Sequence, residues 1–275
     1  MILRPFGGIM LRNLISVLAL LTLTQVASAR VVVISDFDDT VKKANSVGNW
    51  YESSYHFLRK KPYLRMRDLF VELKDHYDGL GQQVEFNYVS AAPDFLFAQQ
   101  KWVEKHGFPV GNTFLRSLGS EDTYTFKYNQ IVSILRPYLE EPDLKVIFFG
   151  DNSTHDQDVY ADATRDYKLD SEIYVRDVST TATEFDGFPA SGREGVTYFF
   201  SEKEFETFQG LSFMSSVLRS DIDAEFSDRS LVPAYTTKTM VRRVRAKMNC
   251  KFFQFSCRKE AKARGKSLIE SYYTR

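Results

Sequence analysis

The sequence predicts an α/β protein built on a parallel sheet with helices on both faces. Three observations carry this. Short apolar runs recur along the chain, at Val31–Ile34, Val84–Val89 and Lys145–Phe149, each of strand length, and the first lacks the polar alternation of a half-exposed strand, so it fits a strand buried on both faces. Stretches with apolar residues at helical spacing lie between these runs, the pattern of strand–helix–strand units. From Arg30 onward the chain has 246 residues, enough for one well-buried domain with appendages.

The elements follow in order. The first strand, 31–36, opens into a polar and aromatic excursion over 41–63. A helix over Leu64–Tyr77 places Leu69, Phe70 and Leu73 on one face and stops at Gly79-Leu80-Gly81. The second strand, Val84–Val89, ends at Ser90. Pro93 begins a helix with Phe95, Leu96, Trp102 and Val103 as its apolar face, closed by Gly107. A short strand over Thr113–Leu118 and a helix over Tyr124–Leu135 come next, Pro137 limiting the helix. Lys145–Phe149 is the fourth strand, 156–168 a helix, Glu172–Arg176 and Val196–Phe200 strands, and Glu202–Leu218 a final helix. Residues 219–237 read as a linker.

Residues 1–29 have the form of a signal peptide. Arg4 and Arg12 precede the apolar stretch Leu14–Leu23, and Ala27-Ser28-Ala29 offers small residues for cleavage. The stretch is short for a bilayer span, which favours export to a periplasm or medium over an uncleaved anchor. The expected organisation is a signal peptide at 1–29, a catalytic domain at 30–218, and a linker and basic tail at 219–275.

Lys and Arg total 36, as do Asp and Glu, but the balance hides a division. Residues 238–275 carry a net charge of +10 and residues 30–237 a net of −12. Such asymmetry suits a basic tail that meets an anionic surface or folds back onto an acidic body. Both cysteines, Cys250 and Cys257, lie in that tail. In an exported protein they can close a short disulfide loop; with no His nearby, a metal knuckle is disfavoured.

Chemistry concentrates in Ser35-Asp-Phe-Asp-Asp-Thr40. Asp36, Asp38 and Asp39 sit where the first strand's carboxyl end opens into a loop, the place where open α/β sheets bind ligands. Carboxylates this close repel unless a positive partner joins them, and a divalent cation such as Mg²⁺ is the simplest partner. Helix caps and turns use acidic residues too. A calcium loop of the EF-hand type is excluded, because counting from Asp36 its sixth position is Val41 and its twelfth Val47. Ser90 at a strand end, Lys127 near a helix start, and Asp151 and Asp156 around Asn152-Ser-Thr-His155 complete a constellation converging on the same sheet edge.

In this order and spacing, the residues resemble the four signature motifs of the haloacid dehalogenase (HAD) phosphohydrolase superfamily, which implies a HAD-like Rossmannoid fold with a small or absent cap. The resemblance implies that Asp36 attacks phosphorus and forms an aspartyl-phosphate, while Asp38 protonates the leaving alkoxide and later activates water. It further implies that Ser90 and Lys127 hold phosphoryl oxygens. Asp36, the Asp38 carbonyl and Asp151 would ligate Mg²⁺, with Asp156 supporting its water shell or Lys127. Further segments narrow the match: Ser35–Lys42, Tyr88–Pro93, His106–Gly111, Leu115-Arg116, Phe149–Tyr160 and Tyr174–Asp177 are together similar to the actin-patch-associated phosphatidate phosphatase catalytic domain family. That family implies Mg²⁺-dependent hydrolysis of phosphatidate to diacylglycerol and phosphate. The chain departs from the family at Asn152-Ser153-Thr154, where the family usually has Ser-Gly-Gln, and at Ala91-Ala92. Asn152-Ser-Thr is also a glycosylation sequon.

The span from Thr40 to Ser90 leaves little beyond a crossover helix, so the pocket is expected to be open. Thr40 and the excursion's Arg59, Lys60 and Lys61, among Trp50, Tyr51, Tyr55 and Phe57, are candidates for a substrate or membrane surface. Arg242 and Arg243, upstream of Phe252, Phe253 and Phe255, extend that expectation to anionic lipid, with nucleic acid a weaker partner. A soluble or polynucleotide phosphomonoester is the alternative substrate. A non-catalytic binder on a HAD scaffold is opposed by the intact Asp36/Asp38 pair. His155 is expected on the site's rim, and the sequence leaves the oligomeric state open.

Overall fold

A computed structural model describes residues 29–44, 61–93, 98–117, 121–178, 192–199, 201–227, 241, 244–245, 248–251 and 253–274. Its centre is a six-stranded, all-parallel sheet in the order β3-β2-β1-β4-β5-β6. The strands are β1 (Arg30–Asp36), β2 (Gln83–Pro93), β3 (Asn112–Arg116), β4 (Leu144–Asp151), β5 (Asp170–Arg176) and β6 (Val196–Phe199). The helices are α1 (Leu64–Gly79), α2 (Gln99–Lys105), α3 (Thr123–Leu135), α4 (Asp156–Tyr167), α5 (Ser216–Ser227) and α6 (Phe255–Thr274).

Strand side chains alternate between two apolar layers, which is why Val31–Ile34 of β1 shows no polar alternation. Val31, Val33, Phe86, Tyr88, Ile147 and Phe149 face α1, α2 and α5. Val32, Ile34, Val89, Val146 and Phe148 face α3 and α4 through Phe126, Ile131, Leu135, Val159 and Ala163. Phe70 of α1 anchors the first layer. Its ring lies 4.8 Å from Phe149, 5.6 Å from Phe86 and 6.1 Å from Phe108.

The order of the strands positions the site. Chain direction reverses its progress across the sheet between β1 and β4, and the crevice outside their carboxyl ends is the topological switch point. β1 ends there on Asp36 and β4 on Asp151.

Three expectations about elements change. Pro93 ends β2 instead of opening a helix, and α2 begins at Gln99. The expected helix over 202–218 is two 3₁₀ turns, Glu202–Thr207 and Gln209–Leu211, followed by α5. A β-carbon on Gly210 would lie 2.1 Å from Glu172 Oε2 and 2.3 Å from the Tyr174 hydroxyl, so the chain here hugs β5 too closely for side chains on a regular helix. Residues 219–227, expected to start a linker, complete α5 and bury Ile222 and Phe226 in the core.

The basic tail folds back onto the body. Val244 and Ala261 are fully buried, Met248 and Cys250 pack against the first layer, and a Cys250–Cys257 disulfide ties the preceding turn to α6. No helix among the described residues is long and apolar enough to cross a membrane. The expected signal peptide (save Ala29) and most of the excursion lie outside the described residues. The excursion's two ends are pinned together, Lys43 N–H to the Lys61 carbonyl at 2.9 Å and Tyr63 N–H to the Val41 carbonyl at 2.8 Å.

Removing the central ring should cost what a large core truncation costs. Phe70→Ala is expected to destabilise the fold by about 3–5 kcal/mol, read from the midpoint shift in urea unfolding; a loss near zero would place Phe70 outside the core.

Candidate active site

Each acidic residue of the site is placed by a local device. Asp36 is the last residue of β1 and is almost wholly buried. Asp39 adopts a left-handed backbone (φ 61°) and accepts the Ala44 N–H at 3.0 Å, which turns the chain sharply after β1. Asp151 ends β4 and receives the Ser153 N–H at 2.6 Å; Asp156 opens α4 and receives the Asp151 N–H at 3.2 Å. Glycine is required at 150, just before Asp151, since a β-carbon there would stand 2.8 Å from Asp156 Cβ and Oδ2. Asp122 caps α3 by accepting the Thr125 N–H, and this start sets Lys127 in the second turn, aimed under the sheet edge.

Lys127 joins these elements. The residue is 3% exposed, and its ammonium reaches Asp36 Oδ1 at 2.6 Å and also hydrogen-bonds Asp156 Oδ1. Ligand oxygens of Asp36, Asp151 and Asp156 all lie within 4.8 Å of one another. Burial, then the neighbouring carboxylates, pushes the Asp151 carboxyl up to about 8; burial also raises Asp36 well above the usual range, against the pull of Lys127. Burial alone would depress the Lys127 ammonium, but Asp156, Asp36 and Asp151 together hold it charged. A cluster of hard oxygen donors with more acids than bases suits a divalent cation such as Mg²⁺.

Asp38 faces another way. Its carboxylate accepts the Lys42 ammonium at 2.6 Å and the Ser90 hydroxyl at 3.3 Å, and it lies outside the three-acid cluster. Ser90 Oγ in turn accepts the Ala92 N–H at 3.1 Å. Asp36, Asp38, Ser90, Lys127 and Asp151 share the wall of one cavity of about 270 Å³, together with Arg116 and Thr123.

Several contacts lay beyond sequence reasoning. Lys42 is buried against Asp38, although it fell inside the quoted motif. Asn152 is a latch: its amide donates to Asp177 Oδ1 at 2.8 Å and accepts the Val178 N–H at 2.9 Å, so the sequon nitrogen is engaged in the fold. Arg176, fully buried at the end of β5, sits 4.1 Å from the Tyr63 ring and 4.8 Å from Phe199, and donates to Glu202 Oε1 at 2.8 Å. Thr40, expected on the substrate surface, is wholly buried, because the turn at Asp39 folds it inward. Lys61 is exposed; Arg59, Lys60, Arg242 and Arg243 lie outside the described residues. His155 stays on the rim, 3.9 Å from Asp158 and edge-on to Tyr124.

Residues 31–177 match the family model described as phosphatidate phosphatase APP1, catalytic domain, which is more than half of the chain. The chain belongs to this family. Its α/β fold with an all-parallel sheet fits a HAD-like, APP1-type catalytic core, and Asp36, Asp151 and Asp156 form within it a buried acidic triad able to hold a divalent metal ion. Comparison with curated proteins gives no match. Among solved structures, a UDP-GlcNAc 2-epimerase from Neisseria meningitidis, bound to UDP-GlcNAc, aligns at 11% identity with a TM-score of 0.34. The alignment covers 78% of this chain and 53% of that one, so the chain spans about half its length.

Acids whose proton affinity is raised by folding cost stability as they ionise. In metal-free protein, stability should therefore fall as pH rises from the ordinary carboxylate value of 3.8 towards the Asp151 value of about 8. A cation on the cluster offsets this and competes with protons. The expected outcome is that Mg²⁺, compared with chelator, raises the melting temperature by several degrees at pH 8 and by little at pH 5. Equal shifts at both pH values would count against metal binding at these acids.

Proposed function

We propose that this protein is an exported, Mg²⁺-dependent phosphatase that hydrolyses phosphatidate through an aspartyl-phosphate on Asp36. The observation that carries the reading is the Asp36–Lys127–Asp156 bridge beside Asp151, with Asp38 and Ser90 on the same cavity wall. Mg²⁺, held by Asp36, Asp151 and the Asp38 carbonyl with Asp156 behind, would supply positive charge to the transferring phosphoryl group.

This chain's residues do the rest. An Asp36 carboxylate oxygen forms a bond to phosphorus as the ester bond breaks, and the alkoxide leaves with the proton of Asp38. Water then attacks the aspartyl-phosphate, Asp38 takes its proton, and phosphate departs to regenerate Asp36. Lys42 and Ser90 fix the Asp38 carboxylate for both transfers, while Lys127 orients Asp36 and opposes the rise in its proton affinity that burial causes. A second carboxylate at 38 suits an alkoxide leaving group, which needs a proton.

An interfacial substrate is supported by the tail. Phe253 and Phe255, 81% and 75% exposed, lie with Lys251 in the segment closed by the Cys250–Cys257 disulfide, and Lys259 follows it in α6, an arrangement suited to an anionic bilayer.

The test is phosphate release from phosphatidate vesicles and from soluble monoesters, with Mg²⁺ and with chelator. Asp36→Asn should lower Mg²⁺-dependent release on the order of 10³-fold or more, and wild type should prefer vesicles. Absence of Mg²⁺-dependent release from every substrate would refute the enzyme reading. The double variant Phe253→Ser/Phe255→Ser should lower vesicle turnover while sparing soluble esters; unchanged vesicle turnover would remove the interfacial part.

A further inference from the structure

Negative charge dominates the strand ends. Asp36, Asp38, Asp39, Asp151 and Asp156 gather there, all but Asp38 almost wholly buried, against Lys42 and Lys127. Both ammonium groups are committed: Lys42 to Asp38, and Lys127 to Asp36 and Asp156. One divalent cation on the cluster would still leave an excess of negative charge. A phosphomonoester near neutral pH brings close to two further negative charges, its second pKa lying at about 6. A substrate of that charge is repelled unless another cation faces it.

Arg116 is such a cation. It ends β3, is half-buried, and lines the same cavity as Asp36, Ser90 and Lys127. Its Nη1 donates to Thr123 Oγ1 at 3.2 Å, a neutral partner. Among the described residues no carboxylate pairs with it. Thr123 lines the cavity too and opens α3, the helix that carries Lys127, so the brace ties the guanidinium to the same rigid element as the catalytic lysine. The neighbouring wall, Ala91, Ala92 and Pro93, offers no side-chain donor to an anion.

We propose that Arg116, braced by Thr123, is an anion subsite that takes the non-bridging oxygens of a phosphate dianion. The planar guanidinium presents several N–H donors in a fork, and one of them is spent on Thr123. This subsite rests on the phosphomonoesterase reading, and it makes Arg116 a determinant of substrate charge.

The experiment titrates inorganic phosphate into the full-length protein with Mg²⁺ at pH 7.5, by calorimetry, for wild type, Arg116→Gln and Arg116→Lys. Steady-state kinetics on phosphatidate vesicles and on a soluble monoester form the second arm. Losing a charged hydrogen bond should weaken phosphate binding by about 10- to 100-fold in Arg116→Gln. KM should rise for both substrates while kcat stays within a few-fold. Arg116→Lys, which keeps the charge without the fork, should recover part of the loss. It also serves alone if the Gln variant fails to fold, then showing weakened phosphate binding relative to wild type.

Unchanged phosphate affinity in folded variants overturns the subsite, as does wild type that binds no phosphate. A fall in kcat with KM and phosphate affinity intact overturns it as well, giving Arg116 a structural role. Phosphate binding that depends on Arg116, in a protein that hydrolyses no monoester, would instead refute the phosphatase reading and leave the subsite standing.

Discussion

The structure is organised around one electrostatic constraint: several carboxylates are buried together where a parallel sheet ends. Charges of one sign in a low-dielectric setting are tolerable only when compensated. Lys127 provides the fixed part of that compensation by spanning β1 and α4, and the three acids it leaves together form a cluster able to hold a divalent cation. Breaking a buried pair of this kind typically costs about 3–5 kcal/mol, because the abandoned charge stays buried. The surrounding devices serve the same end. Gly150 lets Asp156 approach the end of β4, Asp122 sets the start of α3 and with it Lys127, and Asn152 latches the acidic loop to the segment after β5.

Much of this was legible in the chain. Val31–Ile34 and Lys145–Phe149 announced buried strands because both of their faces are apolar in the folded state. Asp36, Ser90, Lys127, Asp151 and Asp156 were legible as a set because each stands at or near the end of a regular element, at a spacing that brings it to one edge. The HAD-like resemblance and the family match agree on that set's neighbourhood.

What escaped has a physical reason. The pairs Arg176–Glu202, Asn152–Asp177 and Arg116–Thr123 join side chains across loops, and no periodicity encodes such through-space contacts. The helix expected over 202–218 failed for a related cause. Its apolar residues have helical spacing, but the approach of Gly210 to Glu172 and Tyr174 is a tertiary demand that overrides local preference. Thr40 carried a polar label in the sequence, yet the left-handed turn at Asp39 decided its burial.

The lengths of the outer strands have a consequence of a different kind. β3 and β6 span five and four residues, whereas β2 within the sheet has eleven. An unpaired strand edge is a template on which a second chain can add itself, and a short one gives that addition few ladder hydrogen bonds. The parallel sheet needs long inner strands to bury two faces and aim its acids at one crevice. By confining its exposed edges to a few residues, the fold keeps that sheet from seeding edge-to-edge aggregation.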